Sequence, residues 1–386
     1  VAGTNGKGST IHFLQSVLLS SGHQVGVFTS PSMDGLKGHI LHQNNSIRHD
    51  KFVEMFQRVF PYVQYLDDQG EAPTSFEILT AMAFLYFSEN VDIAIIETGM
   101  GGQHDTTNCL KPMISIITNI EKDHMIDLGY TLPSIARHKA GIIKKETPVI
   151  IGRIADNALS IITEKAKAKQ APLYQLGKEF DYQMQNESTS MQSFTWSSGT
   201  CSLNVSLNLL GKHQVENCSL ALKALTICKK RFLISIQWQR AIEKLNKLSI
   251  PGRFEKIYEK PDIYIDGAHN VAGLLSFLNT VDQISEKDDK RVMFAAFKDK
   301  NFEAMVRHLK GTFSKIYLTS FDHPRAATKQ HLRPFTDENQ VIYMDDWQEM
   351  LVQLIQSKQA DGPYFITGSI NFIISVRRFL LNRNFE

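Results

Sequence analysis

Cysteine is scarce in this sequence. Its 386 residues hold four, Cys109, Cys201, Cys218 and Cys228, and no two stand in C-x-x-C spacing. That argues against a disulfide scaffold or a zinc ribbon and for reduced thiols in the cytoplasm. An excess of one charge is lacking too. Lys and Arg number 42 against 40 Asp and Glu, a net charge of +2. Neither nucleic acid nor an anionic membrane is implied as a partner. No apolar run approaches the roughly 18 residues of a membrane span; residues 81–87, AMAFLYF, fall well short. There is no visible signal peptide, internal repeat or low-complexity tract. What remains is an ordinary globular composition, 42% hydrophobic and 21% charged, with length for two or three domains.

The usual phosphate-loop pattern, G-x-x-x-x-G-K-[ST], is also missing. The chain opens instead on VAGTNGKGST, where Gly8 follows Lys7 and the hydroxyl arrives late, at Ser9. Only Val1 and Ala2 precede the loop, whereas a strand takes about 5 residues, so a preceding N-terminal piece is expected. Behind the loop, Ile11, Leu14, Val17 and Leu18 share one helical face, and QVGVFTS reads as a buried strand. This loop–helix–strand setting is what phosphate binding requires. Gly3, Gly6 and Gly8 permit close backbone approach. The N–H groups of Thr4, Asn5 and their neighbours, with Thr10 at the helix start, face an anion, Lys7 reaches its outer phosphates and Ser9 holds Mg²⁺. A glycine-rich turn without a ligand is the alternative.

Further along, TSFEILTAMAFLYFSEN reads as a helix capped by Thr74 with Glu77 three residues on. VDIAIIE is a strand ending at Glu97. MISIITNI leads into EKDH with His124, and TLPSIARHKAGIIK is a helix capped by Thr131 that carries Lys139. Strands alternating with helices predict an α/β fold with a mostly parallel sheet. Residues 171–210 alternate without helical period and predict a small antiparallel region. The stretch SIPGRFEKI reads as a linker. Beyond it DIYID, RVMFA, SKIYLT, QVIYM and PYFITG predict a C-terminal Rossmann-like α/β domain. The expected division is 1–249, a nucleotide-binding domain, and 250–386, a second α/β domain. Glu97 stands beyond a strand's carboxyl end, where ligands of open α/β sheets bind; a carboxylate plus phosphate oxygens suits Mg²⁺.

GTNGKGS, ETGMGGQHDTTN, TNIEKDH, ARHKAGIIK, LLGKHQVENCSLAL, PGRFE, DGAHN and FKDK follow one another from Gly3 to about residue 370. In this order they resemble the folylpolyglutamate synthase/dihydrofolate synthase family of the Mur ligase superfamily, in which the late hydroxyl is the ordinary form. The resemblance implies ATP bound between two domains. It implies two Mg²⁺ ions, the first on Ser9 and Glu97 and the second on His124 and a carbamylated Lys139. It places His213, Gln214 and Asn217 near the nucleotide, and has Arg253 reach the phosphates. Asp266 and His269, with Lys298 and Asp299, fall in the C-terminal half's site loops. The implied reaction joins L-glutamate to a folate or pteroate through an acyl phosphate, in a cytoplasmic monomer. Catalysis then falls to Lys7, His124, Lys139, Arg253, Asp266 and His269.

The chain departs from the family pattern at Ser32–Ile40, where an Asn-Glu-Arg stretch is usual. It departs again at Gln103, usually Arg, and at His138, usually Glu. A cell-wall Mur-type ligase is the runner-up, but that reading needs a further N-terminal domain for its nucleotide-sugar substrate. A nucleotide-binding protein without ligase activity has no use for Arg253, Asp266 and His269. A P-loop kinase has none for the carbamate-type lysine.

Overall fold

The computed structural model describes residues 1–32, 34–284, 289–337, 339–356 and 362–383. The chain forms two compact units. One holds residues 1–186, 193–207 and 213–248, and the other 187–192, 208–212 and 249–386.

The first unit begins with α1 (Lys7–Ser20), β1 (Val25–Phe28), β2 (Ile40–His42), β3 (Asn45–Ser46), α2 (His49–Asp68), α3 (Ser75–Asn90) and β4 (Ile93–Ile96). It continues with β5 (Ser115–Ile117), α4 (Met125–Leu128), α5 (Leu132–Ala140), β6 (Val149–Ile151), α6 (Asp156–Ala168) and β7 (Leu173–Gln175). Two strand sets result, ordered β3-β2-β1-β4 and β5-β6-β7. Val1 and Ala2 stitch them together. The Val1 amino group donates to the Ile96 carbonyl at 2.7 Å, and Thr98 N–H donates to the Val1 carbonyl at 3.0 Å. On the other side Ala2 N–H donates to Ile116 at 2.8 Å and Thr118 N–H returns to Ala2 at 2.9 Å. The strand order therefore turns at the opening residues, with β4 on one side and β5 on the other. This is the switch point at which α/β sheets bind ligands. Strands covered on both faces need continuous apolar runs; Val25–Phe28 and Val149–Ile151 are buried throughout.

The rest of this unit is a three-stranded meander, β8 (Asp181–Glu187), β9 (Gln192–Ser198) and β10 (Cys201–Leu207), then α7 (Lys212–Arg231) and α8 (Trp238–Asn246). The meander's short turns make it antiparallel. The expected antiparallel region started too early: β7 pairs parallel with β6, because α6 intervenes as a crossover helix. Helices α2 and α6 were not anticipated.

The second unit comprises β11 (Glu255–Glu259), β12 (Asp262–Asp266), α9 (Val271–Ile284), β13 (Arg291–Ala295), α10 (Phe302–Lys310) and β14 (Lys315–Thr319). After these come α11 (Lys329–Leu332), β15 (Val341–Met344), α12 (Trp347–Gln356), β16 (Tyr364–Gly368) and α13 (Ile370–Asn382). Its sheet runs β11-β12-β16-β13-β14-β15, parallel except for β11. Two apolar clusters cover it, one around Phe277, Phe294 and Phe365, the other around Ile366, Phe372 and Trp347. The stretch expected as a linker is partly strand: Glu255–Glu259 pairs antiparallel with β12. Among the described residues no helix is long and apolar enough to cross a membrane.

Candidate active site

The loop between Ala2 and α1 is built around two glycines. Gly6 caps α1 at φ 83°, in the left-handed region. A β-carbon there would also collide with the Asn217 side chain from α7, and one on Gly3 would collide with Thr118. Above Gly8 the space is open. The loop is lashed to the segment after β5. Thr4 and Asn5 N–H groups donate to Asn119 Oδ1 at 3.1 and 2.8 Å. Thr4 Oγ1 donates to the Glu121 carbonyl at 3.0 Å, and Thr118 Oγ1 donates to the Asn5 carbonyl at 2.5 Å. Contrary to expectation, the Thr4 and Asn5 N–H groups are thus taken by Asn119 rather than facing an anion; it is the N–H groups of the first turn of α1, held rigid in this way, that suit a phosphate. Lys7 is half-buried and donates to the Gly3 carbonyl at 3.1 Å; it does not project into solvent as a lysine in an empty loop would be expected to. Ser9 and Thr10 are buried, and Thr10 Oγ1 has no hydrogen-bond partner.

Glu97 leaves β4 at its carboxyl end and is 3% exposed. Its Oε2 accepts from Thr29 Oγ1 and from Ser30 N–H. A carboxylate this deep, met by neutral donors, favours a cation. Lys139, on α5, is 4% exposed. Burial, and to a lesser degree the nearby Lys7 ammonium, bring its pKa down to about 7 against the opposing pull of Asp123 and Asp105. Burial is thus the larger cause and charge repulsion the smaller. Asp105 is itself pinned, accepting from Met100 N–H at 2.8 Å and Thr107 N–H at 3.1 Å. His124 starts α4 at φ 49° and is exposed; its N–H donates to Asp123 Oδ1 at 2.9 Å.

His213, Gln214 and Asn217 lie in the first turns of α7. Gln214 and Asn217 are buried, and Asn217 Nδ2 lies 3.5 Å from Gln214 Oε1. In the second unit Asp266 ends β12, buried, and accepts from Phe254 N–H at 2.8 Å. Burial pushes its carboxyl up to about 6, against the pull of Arg253, the Phe254 hydrogen bond and His269. A β-carbon on Gly267 would come within 2.9 Å of Arg253 Nη1. His269 Nδ1 is 2.9 Å from the Gly267 carbonyl, so that nitrogen carries the proton. Lys298 and Asp299 follow β13; Asp299 accepts from Arg325 at 3.2 Å. Among the described residues no three His, Cys, Asp or Glu side chains converge as a metal site. The expected magnesium set contributes only Glu97 and His124 to that count. The buried Glu97 and the hydroxyl of Ser9 are hard oxygen donors, the kind Mg²⁺ takes, and fit it.

Residues 1–225 match the Mur ligase middle domain and residues 252–370 the Mur ligase glutamate ligase domain. The dihydrofolate synthase/folylpolyglutamate synthase of Bacillus subtilis is 34% identical over 98% of this chain and 89% of its own length. The chain belongs to the folylpolyglutamate synthase/dihydrofolate synthase family. The folylpolyglutamate synthase of Mycobacterium tuberculosis complexed with ADP and AMPPCP superposes with a TM-score of 0.90 at 26% identity, covering 99% of this chain and 90% of that one. A folylpolyglutamate synthase complex with AMPPCP and folate gives 0.84 at 29% identity, covering 98% and 89%.

Two departures from the folylpolyglutamate synthase pattern meet in space. Gln103 N–H donates to the His138 carbonyl at 2.7 Å, and the His104 and His138 rings stand edge-on at 5.8 Å. Where the pattern usually has an Arg and a Glu, this chain has an amide and an imidazole, on backbone joined by that hydrogen bond. In the Ser32–Ile40 departure, of which Met33 lies outside the described residues, His39 Nδ1 sits 2.7 Å from the Thr29 carbonyl. Burial holds the His39 ring below the usual histidine range. Sequence reasoning missed Thr29, Asn119, Asp123 and Asp105. Each is polar and follows a strand, but its partner is distant in sequence or hidden by burial.

Proposed function

We infer that this chain is an ATP-dependent ligase that adds L-glutamate to a folate, with tetrahydrofolate and dihydropteroate as acceptors. The observation that carries the reading is Lys139, buried beside the phosphate loop with its ammonium disfavoured at neutral pH. A kinase or a nucleotide-binding module has no use for such a group. The family membership and the nucleotide and folate complexes of similar proteins support the same reading. We place the enzyme in the cytoplasm, in keeping with its four free thiols, and take it to act as a monomer.

The phosphate loop holds the triphosphate through its backbone N–H groups. Lys7 exchanges the Gly3 carbonyl for phosphate oxygen. The γ-phosphoryl group passes to a folate carboxylate oxygen as its bond to ADP breaks. The amine of glutamate then attacks the acyl carbon, loses a proton, and phosphate leaves. Carboxylate, phosphate and leaving group are all anionic, so fixed positive charge from Lys7 and Arg253 lowers the barrier. Ser9 and Glu97 would hold one Mg²⁺ and His124 would be a ligand for a second, and such ions would supply neutralisation of the phosphoryl charge. The neutral Lys139 amine adds to CO₂, forming one N–C bond and releasing one proton, and so offers oxygens where an ammonium would repel a metal. Asp266, Arg253 and His269 form a cluster that we assign to the same reaction. Oxygen-18 placed in the acceptor carboxylate tests the chemistry: one label should appear in the released phosphate. Unlabelled phosphate would exclude the acyl phosphate.

A further inference from the structure

A charged latch outside the residues assigned above reaches the phosphate loop through α7. Arg153 follows β6, the strand next to β5, and its guanidinium sits over Gly177, where a β-carbon would approach Nη1 to 2.6 Å. Nη2 donates to Asp181 Oδ1 at 2.8 Å at the start of β8. Nε lies 3.5 Å from Glu216 Oε1 on α7. Tyr182 OH donates to the same Glu216 oxygen at 3.3 Å, and the guanidinium lies 5.8 Å from the Tyr182 ring centroid. Glu216 is the neighbour of Asn217, whose side chain fills the space beside Gly6. The end of β6, β8 and the second turn of α7 are thereby tied together one residue from the loop contact.

We propose that Glu216, held by Arg153 and Tyr182, is a positioning residue that sets Asn217 against Gly6 and so preshapes the loop for ATP phosphates. The proposal rests on the reading that this loop takes ATP. Stability gives the latch little reason to exist. The Glu216, Arg153 and Asp181 side chains are 29%, 47% and 49% exposed, and exposed ion pairs contribute little to folding. Helix α7 is anchored without them by Val215, Cys218, Leu222 and Leu225. The latch instead fixes the rotation of one helical turn, and in a tightly fitted loop a small displacement weakens phosphate contacts.

The test uses the whole enzyme, with ATP affinity by calorimetry, steady-state kinetics and thermal melting. Glu216→Gln and Arg153→Ala should each raise KM and Kd for ATP by about threefold to tenfold, with kcat and melting temperature nearly unchanged. The double variant should be no worse than either single one, because both break the same contact. Tyr182→Phe should fall between. The variant-to-wild-type ratio should shrink in 1 M salt, where charges are screened beyond about 3 Å. Wild-type ATP affinity with lowered melting temperature, or additive effects of the two single variants, overturns the proposal. Failure of the wild-type enzyme to bind ATP would instead overturn the reading on which it rests.

Discussion

Replacing Lys139 with methionine should inactivate the enzyme and stabilise the fold. In CO₂-free buffer without metal, the folded lysine releases its proton near pH 7 and the unfolded one near 10.5. Below pH 7 both are protonated, and the folded state bears the whole cost of a buried ammonium. Between pH 7 and 10.5 the unfolded chain holds a proton that the folded chain has lost, so wild-type stability rises with pH through that window. At 1.36 kcal/mol per pK difference, the lysine costs about 4 kcal/mol at pH 7 and about 2 kcal/mol at pH 9. Methionine fills a similar volume with no charge. Lys139→Met should therefore be more stable than wild type at pH 7, and its advantage should fall by about 2 kcal/mol at pH 9. Urea melts at the two pH values, in urea rather than guanidinium so that charges stay unscreened, measure the difference. Bicarbonate with Mg²⁺ should raise the wild-type melting temperature and leave the variant's unchanged. A stability gap equal at both pH values, or a destabilised variant, would refute a buried, neutral Lys139.

Lys7→Ala should abolish ATP turnover while the chain still unfolds within about 1 kcal/mol of wild type, since its hydrogen bond to Gly3 is a single half-buried contact; turnover near the wild-type rate would remove the phosphate loop from the mechanism. Gly6→Ala should lose ATP binding through both its φ of 83° and the collision with Asn217, and Gly6→Ala/Asn217→Ala should recover only part of it, because the backbone strain of a β-carbon in the left-handed region remains. Asp266 titrates near 6 when folded against 3.8 unfolded, so the folded state holds the extra proton between those values and stability falls as pH rises through them. Relative to Asp266→Asn, wild type should lose about 2 kcal/mol from pH 3.8 to 6, and calorimetric unfolding across that range checks it.

The elements legible in the sequence were those with local signatures. Thr74 and Glu77 announce α3, and both halves of their capping box form. Thr131 caps α5 as expected, with Ser134 as its partner. Helix α2 escaped notice, although Phe52, Met55 and Val59 fall at helical spacing, because Pro61 inside it reads as a breaker. Strand β7 has three residues and β11 follows a Pro-Gly pair, so pairing partners elsewhere in the chain decide their state. The site divides in the same way. Lys7, Ser9 and Glu97 sit in recognisable stretches. That Lys139 is buried, or that Thr29 holds Glu97 across 68 residues, depends on tertiary packing that spacing does not encode.

The central claim is glutamate ligation to a folate, and product mass measures it most directly. The enzyme is incubated with ATP, Mg²⁺, L-glutamate and either tetrahydrofolate or dihydropteroate, and the folates are weighed by mass spectrometry while phosphate is counted. The account predicts a product heavier by one glutamyl residue, with one phosphate released per bond formed and none without both acceptor and glutamate. Phosphate release that needs no acceptor, or an acceptor mass unchanged while ATP is consumed, would contradict it.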